Sequence, residues 1–214
     1  MKKLIERLKG GGDPGAGPDA DADDSRFFTT LFMERSGDTE VVVPWSARAA
    51  QVQAKPYDEA AGVQLFAKAW GSDRYVATLQ PGDIQRLARY VQFVSVAAGQ
   101  EVIGQDEQGD YMIVVLEGTV AVDRIQPWGA RARLAEARAG DMLGEMSLLD
   151  AGTRFSACTT LSPVVLAVID AERLDALIAH EPRLGLALLA SLARRLSLRL
   201  RQVSARLSAL LSET

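Results

Sequence analysis

The chain has 214 residues, which suits one domain with an extension or two small domains. Hydrophobic residues make up 48% of it and charged residues 24%, an ordinary balance for a globular protein. The formal charge of −4 argues against general affinity for nucleic acid, and no apolar run approaches the ~20 residues of a membrane span. The single Cys158 excludes an intramolecular disulfide framework, so we expect a reducing, cytoplasmic environment.

The first 25 residues contain little that could be buried. Residues 1–9 are a short basic amphipathic stretch, too brief for a stable isolated helix. Residues 10–25 consist mostly of Gly, Pro, Ala and Asp, which predicts a disordered linker.

Residues 26–80 form an N-terminal extension for which the sequence leaves two interpretations open. Phe27–Phe32 and Val41–Trp45 flank a Ser-Gly-Asp turn and could form a hairpin, whereas a helix beginning at Ser25 is the alternative. Apolar residues at helical spacing predict a further helix from Tyr57 to Trp70. The aromatic residues of the extension would pack either on the main domain or on an effector protein.

A regular pattern of elements begins at Pro81. A helix starts there and places one apolar face at Ile84, Leu87, Ala88 and Val91. Short β-runs separated by glycine fill about 92–169, which predicts a β-sandwich or roll rather than alternating βα units. Asp170 is placed to cap a helix over Ala171–Ala179.

The last helix opens at Pro182 and continues almost to the C-terminus. Its apolar residues recur at heptad spacing in two series, Leu196, Val203 and Leu210 with Ala193, Leu200 and Leu207. This spacing predicts a two-stranded coiled coil and hence a homodimer. The alternative is that the same stripe packs on the chain's own β-roll.

Together these elements predict an α+β fold that is mainly β. Residues 81–180 would form a β-roll, a jelly-roll-like double-stranded sandwich, flanked by helices. Residues 181–214 would form the long C-terminal helix.

The most informative stretch runs from Gly144 to Ala157 and reads Gly-Glu-Met-Ser-Leu-Leu-Asp-Ala-Gly-Thr-Arg-Phe-Ser-Ala. Backbone N–H groups at the start of a short helix favour a bound anion. Arg154 offers a planar, two-pronged cation to a phosphate, and Glu145 can accept a hydrogen bond from a sugar hydroxyl. Gly144 permits close approach of the backbone. The stretch therefore predicts a site for a small anion with a sugar attached.

These residues resemble the phosphate-binding cassette of the cyclic nucleotide-binding domain family. Val94–Ile103, Tyr111–Val120 and Ala139–Leu143 are similar to the strands and glycine turns of the family, so the resemblance covers roughly residues 84–210. It implies cyclic AMP, or cyclic GMP as second choice, as the ligand, without a cofactor. The implied phosphate contacts are Arg154, Ser156, Met146 and Ser147, and the implied ribose contacts are Gly144 and Glu145.

Two positions depart from the family pattern. Phe155 stands where the cassette usually has a small residue, and its ring would either crowd the phosphate or point into the core. The Ala193–Leu196 region resembles the cyclic-AMP receptor transcription factors, in which a Thr-Ser pair slightly further on reads the adenine. The matching positions here are Arg199 and Leu200. Arg199 would either contact the base or remain a solvated helix residue.

The sequence contains no evident catalytic constellation, and His180 has no neighbours at metal-ligand spacing, so neither an enzyme nor a metal site is expected. The chain stops at Thr214 without the helix-turn-helix of those transcription factors, so direct DNA binding is not expected either. We expect a cytoplasmic cyclic-nucleotide sensor that signals through its C-terminal helix to a partner, with residues 26–80 available to dock an effector. The alternative is a ligand-free dimeric scaffold of the same fold, which Phe155 favours.

Overall fold

The computed structural model describes residues 26–35, 42–71 and 73–212. The helices of this part of the chain are α1 (Phe27–Arg35), α2 (Trp45–Gln51), α3 (Glu59–Trp70), α4 (Pro81–Ala88), α5 (Glu145–Asp150), α6 (Ala171–His180) and α7 (Pro182–Ser212). The strands are β1 (Lys55–Pro56), β2 (Gln92–Val96), β3 (Glu101–Ile103), β4 (Tyr111–Glu117), β5 (Val120–Ile125), β6 (Arg131–Ala137), β7 (Met142–Leu143), β8 (Ala157–Thr160) and β9 (Val164–Asp170). The predictions for residues 1–25 and for the turn at Ser36-Gly37-Asp38 lie outside the described residues.

The strands form two antiparallel sheets, which confirms the predicted β-roll. One sheet has five strands in the order β1-β2-β9-β4-β7, and the other has four in the order β3-β8-β5-β6. The turn between β4 and β5 requires Gly118, which has φ +85° and lies so close to Pro163 that a Cβ would come within 2.4 Å of its carbonyl oxygen.

The central strands β4 and β9 are buried on both faces because they separate two apolar cores. Ile113 and Leu166 face the interior of the roll, where they pack with residues of both sheets. Met112 and Ala167 face the helices and pack on a second cluster, which includes Phe66, Trp70, Leu87, Leu174 and Leu188. Burial on both faces explains why the two strands read as uninterrupted apolar runs in the sequence.

The N-terminal extension is mainly helical, and most of its aromatic residues pack on the main domain, although Phe27 is 50% exposed. The hairpin interpretation is therefore wrong for Phe27–Phe32, which lies within α1. Two backbone N–H groups at the start of α1 donate to the Asp175 carboxylate of α6, from Phe28 at 2.9 Å and from Thr29 at 2.8 Å. Trp45 of α2 is only 3% exposed and contacts the Tyr111 ring, with 5.2 Å between the ring centroids. The extension thus contributes to the core of the roll.

The two C-terminal helices begin where the sequence predicts. The Asp170 side chain accepts a hydrogen bond from the backbone N–H of Arg173 and caps α6. The first half of α7 packs on the helical core through Leu184, Leu188 and Leu192, whereas residues 197–212 are all exposed.

The heptad stripe of α7 is divided between these two halves. Leu196 is partly buried against the helical core, while Leu200, Val203 and Leu207 are 67%, 56% and 55% exposed. The alternative in which the stripe packs only on the chain's own roll is therefore wrong, and the homodimer stays a prediction. Within the described ranges, no helix combines the length and apolar composition needed to cross a membrane.

Candidate functional site

Helix α5 starts at the point where the sequence places the cassette. Gly144 is its N-cap residue and has φ +80°, a left-handed conformation that favours glycine. A Cβ at this position would lie 2.5 Å from Nη1 of Arg154 and 3.1 Å from the carbonyl oxygen of Tyr111. The first turn of α5 contains Met146, whose side chain is 52% exposed, and Ser147, which is buried. The first N–H groups of a helix have no acceptor within the helix itself, which favours a bound anion at this end of α5.

Arg154 lies inside the domain beside the start of α5. Its side chain is 2% exposed and donates from Nη1 to the carbonyl oxygen of Gly144 at 2.7 Å and from Nη2 to that of Tyr111 at 2.6 Å. The guanidinium carbon lies 4.6 Å from the centroid of the Tyr111 ring. Among the described residues, its Nε has no hydrogen-bond partner and no carboxylate lies within ion-pair distance. Burial lowers the pKa of Arg154, because the site excludes water from the cation.

Glu145 is also buried, and its carboxylate contacts α7. Its Oε1 accepts a hydrogen bond from Nη1 of Arg199 at 2.6 Å, and Nη2 of Arg199 lies 3.4 Å from the carbonyl oxygen of Met142. The side chain of Glu145 is 3% exposed and that of Arg199 is 48% exposed. Burial raises the pKa of Glu145, and the nearby charge of Arg199 opposes this rise. The structure therefore brings Arg199 to the residue implied to bind ribose.

Phe155 does not point into the core, so that alternative is wrong. Its ring is 57% exposed and lies under the guanidinium of Arg124, 4.2 Å from the centroid. The same guanidinium donates to the carbonyl oxygen of Phe155. Ser156 is half-buried in the bend that leads into β8. The ring therefore packs on the Arg124 side chain instead of on the core.

Sequence reasoning missed the residues that support Arg154 from outside the cassette. Tyr111 supplies the carbonyl and the ring against which the guanidinium packs, and burial raises the pKa of its hydroxyl to about 12. Arg48 of α2 forms an ion pair with Glu107, in the loop whose backbone bonds to that of Arg154. A tyrosine at the start of an apolar strand gives no local signal of this role. Arg48 lies too far away in sequence for spacing to reveal it.

The remaining predicted positions have no reactive environment. Cys158 is buried in β8, and burial raises the pKa of its thiol to about 12, which keeps it protonated. His180 ends α6, with Nδ1 2.8 Å from the carbonyl oxygen of Ala176. Among the described residues, no group of three His, Cys, Asp or Glu side chains could hold a metal ion.

Comparison with known proteins assigns the domain. The family model described as "Cyclic nucleotide-binding domain" matches residues 93–181. A CRP-like cAMP-activated global transcriptional regulator of Mycobacterium tuberculosis is 34% identical over 118 residues, which cover 55% of this chain and 53% of the regulator. A cGMP-dependent protein kinase of Caenorhabditis elegans is 31% identical over 115 residues, 53% of this chain and 14% of the kinase.

A solved cyclic nucleotide-binding domain from Methylobacillus flagellatus has the same fold. It superposes with a TM-score of 0.67 and 24% identity, covering 75% of this chain and 88% of that domain. The chain spans about half the length of the mycobacterial regulator that it matches. Residues 93–181, which contain strands β3 to β9, the cassette and α6, belong to the cyclic nucleotide-binding domain family.

Proposed function

We propose that this protein is a cytoplasmic regulatory protein that binds a cyclic nucleotide in the roll, with cyclic AMP as the first choice and cyclic GMP as the second. The signal that the ligand has bound would be transmitted through α7 to a partner protein. The ligand would lie at the start of α5, with Arg154 and the first-turn amides of the helix on its phosphate and Glu145 on its ribose. Relatives named for each of the two nucleotides match this chain.

The proposal rests on the burial of Arg154 and on its hydrogen-bond partners. An arginine that is 2% exposed pays a large desolvation cost, which is usually balanced by a carboxylate. Within the part of the chain that the structure describes, Arg154 has two main-chain carbonyls instead, and its Nε has no partner. A phosphate anion beside α5 would complete this arrangement, because it can accept hydrogen bonds from a guanidinium and from helix amides together.

Signalling through α7 is supported by the contact that this helix makes with the site. Arg199 reaches Glu145, so the helix and the ribose site share one side chain. The exposed residues Leu200, Val203 and Leu207 follow directly along α7 and would pair with the same helix of a second copy. The predicted effector contact through the N-terminal aromatics has less support, since Trp45, Phe66 and Trp70 are buried within the domain.

Calorimetric titration tests the proposal. The purified protein is titrated with cyclic AMP, cyclic GMP and a cyclic dinucleotide, with 5′-AMP as the control for binding of any phosphate. Micromolar binding of one cyclic ligand, without binding of 5′-AMP, supports a sensor and names its signal. A folded protein that binds none of them contradicts the proposal and favours the ligand-free scaffold.

A further inference from the structure

We propose that Arg199 and the sugar hydroxyl of the bound nucleotide compete for the carboxylate of Glu145, so that ligand binding frees the exposed half of α7 from the domain. This inference rests on the proposed function, because it assigns a regulatory role to the same site. It gives Arg199 a role other than base contact or simple solvation.

The position of the guanidinium supports competition. Its two contacts are the Glu145 carboxylate at 2.6 Å and the Met142 carbonyl at 3.4 Å, and these residues lie on either side of Gly144. The Arg199 guanidinium therefore lies beside Gly144 and Glu145, the two residues implied to bind the ribose. The carboxylate itself is 3% exposed, so few directions remain from which a hydroxyl could reach it.

A sugar hydroxyl can replace the Arg199 guanidinium on Glu145 at little cost in free energy, because Glu145 is buried and Arg199 is half-exposed. A buried carboxylate needs a hydrogen-bond donor at all times, and a sugar hydroxyl can replace the guanidinium in that role. Arg199 is 48% exposed, so it returns to water at little cost once it is displaced. The phosphate contact of Arg154, which Arg199 does not share, would favour the liganded state.

The consequence for α7 follows from its other contacts. Arg195, one turn earlier, donates to the Gly140 carbonyl at 2.7 Å, and its guanidinium carbon lies 4.9 Å from the centroid of a Trp70 ring. Those contacts do not involve the ligand site and would hold the first half of the helix in place. Residues 197–212 are exposed, so loss of the Arg199 contact would release this segment beyond a fixed point near Arg195.

A 2′-deoxy ligand separates competition from a general effect on binding. Cyclic AMP and 2′-deoxy cyclic AMP are titrated into the wild type, Arg199→Leu and Arg201→Leu. Arg201 is the matched control, since it lies in the same exposed segment and makes no ion pair among the described residues. We expect Arg199→Leu to bind cyclic AMP about three- to tenfold tighter, because the competitor is gone. We expect it to leave the affinity for the deoxy ligand unchanged, and Arg201→Leu to change neither.

Hydrogen exchange of residues 197–212 provides the second measurement. Cyclic AMP should raise exchange in the wild type, the deoxy ligand should not, and Arg199→Leu should show raised exchange without any ligand. If the wild type binds cyclic AMP but Arg199→Leu binds it equally or more weakly, competition is wrong and the proposed function stands. If the wild type binds no cyclic nucleotide, binding by Arg199→Leu alone supports competition. Failure of both proteins, with both folded, overturns the two proposals together.

Discussion

Replacing Arg154 with leucine is expected to remove most of the affinity for a cyclic nucleotide while the fold is kept. A hydrogen bond between a charged group and its partner contributes about 1.5–3 kcal/mol, and 1.4 kcal/mol corresponds to a factor of ten. The side chain is 2% exposed, so solvent screens the contact little. We therefore expect binding to weaken by about 10- to 150-fold, with the upper end favoured by this burial.

The stability of the same variant follows from two opposing effects. Leucine removes the hydrogen bonds that Arg154 donates to the carbonyl oxygens of Tyr111 and Gly144, which destabilises the folded state. It also removes a buried cation that pairs with no carboxylate of the described residues, and this removal stabilises the folded state. We expect the free energy of unfolding in urea to change by less than about 2 kcal/mol, so that a loss of binding is not a loss of folding.

Calorimetry on three variants separates charge from geometry. Arg154→Lys keeps the charge without the planar fork and should bind with an affinity between those of the wild type and Arg154→Leu. Arg138→Leu removes the same charge from an exposed position, where the side chain is 74% exposed, and should bind as the wild type does. Wild-type affinity in a folded Arg154→Leu would refute the site assignment. An equal loss in Arg138→Leu would mean that only the net charge matters.

Three further predictions concern the turn, the exposed ring and the helix stripe. Gly144→Ala should lower the free energy of unfolding, measured in urea, by about 1–3 kcal/mol and should weaken ligand binding. Gly129→Ala is the control and should cost less, because Gly129 has a similar φ of +86° but lies in open space. Equal costs would contradict a steric effect of the added Cβ at position 144. Phe155→Ser should change the free energy of unfolding by less than about 1 kcal/mol, because the ring is 57% exposed. It should also tighten binding of the cyclic nucleotide, measured by calorimetry. Unchanged affinity would mean that the ring lies outside the phosphate site. Leu207→Glu should convert the protein to a monomer, measured by sedimentation velocity. Ala205→Glu, on the opposite face of the helix, should leave the dimer intact. A wild type that sediments as a monomer would contradict the predicted dimer.

The sequence predicted those parts of the fold and site that depend on local patterns. The apolar runs of β4 and β9, the cap at Asp170 and the start of α7 at Pro182 all follow from residues close together in the chain. The cassette glycine is another local feature, because its left-handed backbone is a property of one residue.

The features that sequence reasoning missed depend on contacts between distant residues. The packing of Trp45 on Tyr111 and the bond from α1 to Asp175 join segments with no shared periodicity. The Arg199–Glu145 pair joins two residues that were each singled out, but spacing along the chain could not show that they meet. Phe155 lies in a bend, where strand alternation does not decide the direction of a side chain.

The position of Trp45 has a consequence for the order in which the chain can fold. This residue is synthesised before Tyr111, the residue on which it packs in the roll. Contacts of such long sequence separation form slowly, because the loop between them must close first. Until β4 has emerged, the tryptophan of α2 cannot be buried against it, and apolar surface exposed in this way favours aggregation during folding. The core of the roll is therefore complete only when α2 has docked on β4.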